Sequence, residues 1–239
     1  MSPAPLEGGC GELSSPTRIA VAFSGGLDTS WVVAKYAAEG HEVDAVTVDV
    51  GGFDATGGAE LEARARSLGA ARFERIDGRR ALFDEVLRYL IAGNVRRGGT
   101  YPLCVGAERT LQAREVARYA RTVGATAVAH GSTAAGNDQI RLEGAFRATA
   151  PELTLLAPVR DLGLSRSEQV AWLEQRDLPV PPSGGRFSTN AGLWGLTIGG
   201  GEMLGTSQPL PEEAWIWTRG GGGHAQLTIE FQAGVPVAI

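Results

Sequence analysis

A glycine-rich segment directly after a short apolar run constrains this chain more than any other feature. Residues Ala22–Ser30 read Ala-Phe-Ser-Gly-Gly-Leu-Asp-Thr-Ser and follow Ile19-Ala20-Val21. The pattern predicts a strand that leads through a turn into a helix, because apolar residues give way to glycines and then to small polar residues. Gly25 and Gly26 lack a Cβ, so the backbone of this turn can take positive φ and approach a ligand closely.

Polar side chains surround the two glycines and point to an anionic ligand. The N–H groups of such a turn, and of the helix start beyond it, favour an anion. Ser24, Thr29 and Ser30 add hydroxyl donors, and Asp28 stands where a metal ion on phosphates could bind. The segment has neither the spacing nor the lysine of a Walker A loop. An ordinary joint capped by Asp28 or Thr29 is the alternative, although the segment holds more polar side chains than a cap needs.

Composition limits the classes of protein to which the chain could belong. Its 239 residues suffice for one large α/β domain, or for one domain and part of another. The net charge is −5 and there is no basic tract, so nucleic acid is not an expected partner. No apolar run approaches the roughly 18 residues of a membrane-spanning helix, so no membrane partner is expected either.

The cysteines and the N-terminal segment favour a cytoplasmic protein. Cys10 and Cys104 are far apart and show no metal-binding spacing, which is typical of a reduced compartment. Residues 1–17 are rich in Pro, Gly and Ser and lack the apolar stretch of a signal peptide. We therefore expect a disordered tail there.

From Arg18 onward, strand patterns alternate with helix patterns, which predicts an α/β fold with a mostly parallel sheet between helices. The predicted strands are Ile19–Phe23, Val43–Val50, Arg72–Ile76, Thr126–Ala129 and Thr154–Ala157. The predicted helices are Thr29–Glu39, Ala59–Leu68, Arg79–Ala92, Ala107–Thr122 and a last one that runs to Gln175, with Ser165 as N-cap and Glu168 at the capping-box position.

The residues with chemical potential follow three of the predicted strands. They are Ser24–Ser30, Asp49–Gly52 and His130–Asp138. Ligands of open α/β sheets bind at the carboxyl ends of the strands, so these segments are expected to form one site. His130 directly follows a buried strand, which favours a structural role over that of a general base.

Five blocks of sequence together resemble argininosuccinate synthases. The run from His130 to Arg141, with its Gly-Asn-Asp-Gln-Ile-Arg ending, is far more specific than a Ser-Gly-Gly-x-Asp loop, which indicates only an ATP pyrophosphatase. The blocks are Ala22–Ser30, Tyr101-Pro102-Leu103 with Arg109, His130–Arg141, Phe187-Ser188 with Leu193-Trp194-Gly195, and Phe231 with Gly234–Val237.

The resemblance implies a two-step ligase of arginine biosynthesis. The ureido oxygen of citrulline would attack the α-phosphate of ATP, which gives citrullyl-AMP and pyrophosphate. The amine of aspartate would then displace AMP. The expected ligands are ATP, citrulline and aspartate, with Mg²⁺ held by the phosphates rather than by protein ligands alone. Such chemistry needs positioning and charge stabilisation, and no covalent nucleophile on the protein.

The resemblance also implies site residues by position, with Asp28 and Asp138 as the catalytic pair. The ATP site would comprise Ala22, Phe23, Ser24, Gly25, Gly26, Leu27, Asp28, Thr29, Ser30, Val48 and Gly131. The aspartate site would comprise Thr133, Asn137 and Asp138. The citrulline site would comprise Tyr101, Asn137, Arg141, Ser188 and Thr197.

By the same resemblance, residues 18–160 would be the ATP-binding domain and residues 161–239 a partial α+β synthetase domain. The family is longer than this chain. Its C-terminal portion supplies further citrulline contacts and a helix used in tetramer formation, so a homo-oligomer is expected of the full-length family.

Several positions depart from the family pattern, and they cluster around the expected site. Ala134-Ala135 replace the usual Gly-Lys, which removes a cation near the phosphates. Further departures are Gly52, Val105, Gly106, Asn190, Gly192 and Gly199. Three interpretations stay open: a fragment of a longer synthase, a short paralogue with altered or reduced chemistry, and a nucleotide-binding paralogue that no longer ligates. The alternative activity is that of an adenylating amide or amidine ligase with another acceptor in place of citrulline.

Overall fold

A five-stranded parallel sheet forms the centre of the chain. The computed structural model describes residues 13, 15–53, 57–134, 137–182, 187–200, 207, 209–218 and 221–239, without the side chains of residues 188 and 200. Most of the predicted tail, residues 1–12 and 14, lies outside this part. The strands run in the order β3-β2-β1-β4-β5. Their bounds are β1 Arg18–Ala22, β2 Glu42–Asp49, β3 Arg72–Asp77, β4 Ala127–Ala129 and β5 Thr154–Leu156.

Helices cover both faces of the sheet, which confirms the predicted fold class. One face packs against α1 and α2, together with α7 and α8. The other face packs against the α3–α4 segment, α5 and α6. The bounds are α1 Leu27–Ala38, α2 Gly57–Ser67, α3 Arg79–Leu82, α4 Arg88–Ala92, α5 Cys104–Thr122, α6 Asp138–Thr149, α7 Pro158–Asp161 and α8 Arg166–Glu174.

Strand β1 lies in the middle of the sheet, and alternate residues serve the two cores. Ile19 and Val21 contribute to the core beneath α1, whereas Ala20 contributes to the core beneath α5. All three are completely buried. Burying a side chain the size of valine or isoleucine stabilises the fold by about 1.5–3 kcal/mol. Because both cores meet on β1, the loop that follows this strand starts from a rigid position.

Helix bounds differ from the predictions by a few residues, and one difference has a clear structural cause. Helix α5 begins at Cys104 rather than Ala107, because Leu103 takes a left-handed conformation with φ 63° and directs the chain into the helix three residues early. The predicted helix Arg79–Ala92 is interrupted by a π-helical turn at Phe83–Leu87. The capping box at the start of α8 is confirmed, since Ser165 and Glu168 bond reciprocally.

The C-terminal part forms two antiparallel pairs. Strands β6 (Phe187–Gly192) and β7 (Gly195–Gly200) make a hairpin, and β8 (Glu230–Gln232) pairs with β9 (Val235–Ala238). The hairpin joins the central sheet where the Leu193 N–H donates to the Val50 carbonyl at 2.6 Å. The hairpin therefore lies beside the carboxyl end of β2. Among the described residues, no helix has both the length and the hydrophobicity needed to cross a bilayer.

Candidate functional site

A cavity of about 700 Å³ opens at the carboxyl ends of β1, β2 and β4. This is the edge of the sheet at which the three candidate segments were expected to meet. Helix α5 and the β6–β7 hairpin close its other sides. The lining includes Ala22, Phe23, Ser24, Gly26, Asp28, Thr29, Val48, Val50, Gly52, Arg109, His130, Gly131, Thr133, Asp138 and Asn190.

The glycine-rich loop is held by its own hydroxyl groups. Thr29 Oγ1 donates to the Gly26 carbonyl at 3.2 Å and accepts from the Ser24 N–H at 3.3 Å. Helix α1 begins at Leu27 after an extended Gly26 whose N-cap position has no side-chain bond. Asp28 and Thr29 therefore lie inside the first turn, so the alternative in which either residue caps the helix is wrong. Asp28 and Thr29 face the cavity instead.

Helix α2 holds the loop from outside, a contact that the sequence did not indicate. Gly25 has φ +76°, a conformation that glycine adopts without strain. Its carbonyl accepts a hydrogen bond from Arg64 Nη1 at 2.7 Å. A Cβ at Gly25 would lie 2.3 Å from Leu61 Cδ2, so a side chain there would displace the Leu61 side chain of α2.

Two further contacts fix Asp28 at the start of α1. Its Oδ1 accepts a hydrogen bond from Gln169 Nε2 at 3.0 Å, and Gln169 on α8 is only 1% exposed. Gly131, after β4, lies against the same turn: a Cβ there would be 2.9 Å from the Asp28 carbonyl carbon and from the Thr29 nitrogen. Gln169 was missed by sequence reasoning, because nothing local marks a contact between residues so far apart in the chain.

The carboxyl end of β2 contributes an apolar wall. Val48 and Val50 line the cavity, which agrees with the predicted position of Val48. Asp49 does not line it. Its Oδ1 accepts from the Gly51 N–H at 2.8 Å and its Oδ2 from Arg75 Nη2 at 2.5 Å. This carboxylate therefore orders the turn after the strand and has its charge compensated by β3.

His130 lines the cavity and is almost completely buried, at 1% exposed. Its Nδ1 accepts a hydrogen bond from the Ser132 N–H at 3.2 Å, and its Nε2 lies 3.6 Å from Glu143 Oε1. Burial lowers the pKa of His130, although the nearby Glu143 carboxylate opposes that shift. Glu143 is also paired with Arg160. This environment favours the structural role expected of His130.

Asp138 lies between two arginines at the first turn of α6. Its Oδ1 accepts from Arg141 Nη1 at 3.0 Å, and its Oδ2 accepts from Arg109 Nε at 3.2 Å. Of the lining residues within the described part of the chain, Arg109 alone is a lysine or arginine. The side of the cavity opposite the loop therefore presents one guanidinium beside one carboxylate.

The predicted site residues fall into two groups. The cavity brings together Ala22, Phe23, Ser24, Gly26, Asp28, Thr29, Val48, Gly131, Thr133 and Asp138. Gly25, Leu27 and Ser30 lie in the same loop but do not line the cavity, and Leu27 and Ser30 are buried beneath it.

Most of the residues expected at the citrulline site lie outside the cavity lining. They are Asn137, Tyr101, Arg141 and Thr197; the side chain of Ser188 is outside the described part. Tyr101 Oη accepts from the Val105 N–H at 3.2 Å. Thr197 Oγ1 donates to the Asn190 carbonyl at 3.5 Å. Arg141 reaches the cavity only through Asp138. These assignments stay predictions.

Comparison with known proteins gives a consistent result over most of the chain. Residues 18–179 match the family model described as "Arginosuccinate synthase N-terminal HUP domain". The chain is similar to the argininosuccinate synthases of Pyrobaculum aerophilum, at 39% identity over 229 residues, and of Methanocaldococcus jannaschii, at 39% over 230 residues. In both cases the match covers 93% of this chain and 57% of the relative, so the chain spans little more than half the length of these relatives.

Proposed function

Because this chain belongs to the argininosuccinate synthase family, we propose that it is a ligase that joins citrulline to aspartate and cleaves ATP to AMP and pyrophosphate. One observation carries the proposal. A Ser-Gly-Gly loop that opens a helix and a carboxylate flanked by arginines face the same cavity. The loop suits the phosphates of a nucleotide, and the carboxylate suits the ammonium group of an amino acid.

The glycine-rich loop and the apolar wall would each bind a different part of ATP. The N–H groups of the first turn of α1, which begins at Leu27, would bind the pyrophosphate portion, helped by the positive end of the helix dipole. Val48 would lie against the adenosine. Gly131, which lines the cavity, would let ATP approach its backbone.

Asp28 fits a role beside Mg²⁺. Magnesium in nucleotide sites takes one or two carboxylates together with phosphate oxygens and water. Asp28 lines the cavity, and Gln169 orients its carboxylate. Among the described residues, no group of three His, Cys, Asp or Glu could hold a metal ion, so the phosphates would supply most of the ligands. When bound, the ion would neutralise charge on the leaving pyrophosphate.

The reaction would form and break bonds only between substrates. The ureido oxygen of citrulline attacks the α-phosphorus and pyrophosphate leaves. The amine of aspartate then attacks the ureido carbon and AMP leaves with that oxygen. The protein would hold these groups in line. Asp138 would pair with the aspartate ammonium, while Thr133 and Asn137 would bind its carboxylates.

One observation favours a second candidate, an adenylating ligase with another acceptor. Tyr101, Arg141 and Thr197, which would bind citrulline, do not line the cavity. Arg141 is already engaged by Asp138 at 3.0 Å, so it would have to exchange partners before it could bind a citrulline carboxylate. An acceptor that does not need this bidentate contact would suit the cavity as it stands.

Pyrophosphate release from MgATP tests the proposal, with citrulline and aspartate added singly and together. Release that depends on citrulline, with argininosuccinate formed once aspartate is present, is the expected result. Aspartate-dependent AMP formation that ignores citrulline and needs another ureido or carbonyl compound would favour the second candidate. Nucleotide binding without release under any pair would exclude both ligases.

Asp28→Asn provides the matched variant for this test. This substitution should abolish pyrophosphate release, because it removes the negative charge that would hold Mg²⁺ on the phosphates. Asp84→Asn is the control, since Asp84 forms an exposed i,i+4 pair with Arg80 on the outer surface. Equal activity of the two variants would contradict the role of Asp28.

A further inference from the structure

A continuous series of hydrogen bonds connects a buried carboxyl on α5 to Asp138 in the cavity. Glu108 is 1% exposed, and its Oε2 accepts from Asn190 Nδ2 at 3.0 Å. Asn190 Oδ1 in turn accepts from Arg109 Nη2 at 2.9 Å. Arg109 Nε then donates to Asp138 Oδ2 at 3.2 Å. The series joins α5, β6 and the start of α6.

The orientation of the Asn190 amide follows from its two neighbours. Arginine has only donors, so Arg109 must meet the oxygen of the amide. The nitrogen of the amide then faces Glu108, whose carboxylate can accept from it. Arg109 is held at a third point, since its Nη1 donates to Gln112 Oε1 at 2.8 Å. The guanidinium in the cavity is thereby fixed at three of its nitrogens.

Gly192 makes room for this arrangement. A Cβ at Gly192 would lie 2.0 Å from Glu108 Oε1 and 2.8 Å from its Cδ. Gly192 and Asn190 belong to the same strand, so β6 supplies both the space and the hydrogen-bond donor for the buried carboxyl. Both positions therefore serve Glu108.

Burial of Glu108 is costly, which argues that it does more than fill space. Glu108 Oε1 is buried, and the described part of the chain offers it no hydrogen-bond partner. Burial raises the pKa of Glu108, whereas Asn190 and Arg109 oppose the shift. An apolar residue would satisfy the packing of α5 without that cost. The carboxyl is therefore best explained by what it orients.

We propose that Glu108, Asn190 and Arg109 are positioning residues that hold the Asp138 carboxylate for the ammonium group of the amino-acid substrate. The inference rests on the proposed function, because it takes Asp138 as the ammonium-binding group. Asp138 is 41% exposed in its side chain, so it needs an external hold to keep one orientation. Arg109 provides that hold from within the cavity, and Glu108 orients Arg109 through Asn190.

A reversal of the hydrogen-bond polarity provides the test. Asn190→Asp alone places a second carboxylate at hydrogen-bond distance from Glu108 in a buried site, where the two repel. Adding Glu108→Gln supplies an amide that donates to the new carboxylate, which can still accept from Arg109. The double variant therefore restores the series with similar shapes, whereas the single variant breaks it.

Calorimetry on the purified full chain would measure its affinity for aspartate and its affinity for MgATP. The melting temperature of each variant would be measured as well. Asn190→Asp should lower the affinity for aspartate at least tenfold. It should leave the affinity for MgATP within about twofold of wild type, because the glycine-rich loop is not part of the series of hydrogen bonds. The double variant should recover aspartate affinity to within about threefold of wild type. A merely structural role would lower both affinities together.

Three results would overturn the inference, and the first two are distinguishable from failure of the proposed function. Unchanged aspartate affinity in Asn190→Asp would overturn it while leaving the proposed function intact. A double variant as impaired as the single one would do the same. Wild-type protein that binds MgATP but no aspartate would overturn the proposed function and this inference together.

Discussion

Replacing Gly131 with alanine should damage both stability and nucleotide binding. The added Cβ would lie 2.9 Å from the Asp28 carbonyl carbon and from the Thr29 nitrogen, and 3.0 Å from Asp28 Cβ. Carbon atoms prefer about 3.5–4.0 Å, so either β4 or α1 must shift by more than about 0.5 Å. The contacts involve backbone atoms, which cannot rotate away as a side chain can.

The magnitude follows from the cost of overpacking. Inserting a methyl group into well-packed structure costs about 1–3 kcal/mol. In a chain of this size each kcal/mol shifts the melting temperature by about 2–4 °C. Gly131→Ala should therefore lower the free energy of unfolding by that amount and the melting temperature by several degrees. MgATP affinity should fall at least tenfold, since the displaced turn begins the helix proposed to bind the phosphates.

Gly144→Ala is a matched control with the opposite expected sign. Gly144 lies in α6, and a Cβ there meets no atom within 4 Å. Alanine is better than glycine inside a helix by about 0.5–1 kcal/mol, so this variant should be slightly more stable than wild type.

Urea unfolding and calorimetry with MgATP would measure both effects. The reasoning is refuted if Gly131→Ala matches wild type in stability and in MgATP affinity. Equal destabilisation by the two glycine substitutions would also refute it, because the argument depends on the space around each residue rather than on the chemistry of the change.

Three other substitutions test separate parts of the structure. Gln169→Leu removes the hydrogen-bond donor to Asp28. It should lower the affinity for MgATP about tenfold by calorimetry, as expected for the loss of a hydrogen bond to a charged group. Unchanged affinity would contradict this prediction. Because burial lowers the pKa of His130, unfolding free energy should fall as pH drops below the ordinary value of 6.5. His130→Asn, which keeps a hydrogen-bond acceptor, should reduce this dependence of unfolding free energy on pH, as measured by urea unfolding at several pH values. A pH dependence as steep as that of wild type would contradict the prediction. Tyr119→Phe removes a 2.9 Å hydrogen bond to the buried Asp44, so it should cost about 1–3 kcal/mol in the same assay, and a neutral result would be inconsistent.

The conformation of the glycine-rich loop and the order of the sheet could be predicted from local sequence. Apolar alternation, glycines and polar residues sit within a few positions of one another at Ala22–Ser30, and the strand–turn–helix there is confirmed. Parallel order followed from the regular alternation of strand and helix patterns. The meeting of Asp28 with Asp138 around one cavity followed from the common edge of parallel strands.

The contacts that orient the site could not be predicted, because they join residues distant in the chain. Gln169 reaches Asp28 across 141 positions. Glu108 lies on a helix rich in charged residues, where a carboxylate is ordinarily exposed, and only the missing side chain of Gly192 lets it be buried. Such pairs depend on tertiary packing, which local patterns do not encode.

The early start of α5 has a similar explanation. Leucine rarely adopts the left-handed backbone conformation, since positive φ is unfavourable for residues with a Cβ. Leu103 adopts it where the chain turns into the helix. No residue type at this position signals the turn, so the sequence predicts the start three residues too late.

The fate of one oxygen atom tests the central claim most directly. Citrulline labelled with ¹⁸O in its ureido group would be incubated with the chain, MgATP and aspartate, and the AMP formed would be analysed by ³¹P NMR. The account predicts AMP that carries the ¹⁸O label, with unlabelled pyrophosphate. Unlabelled AMP, or ADP and phosphate in place of AMP and pyrophosphate, would contradict it.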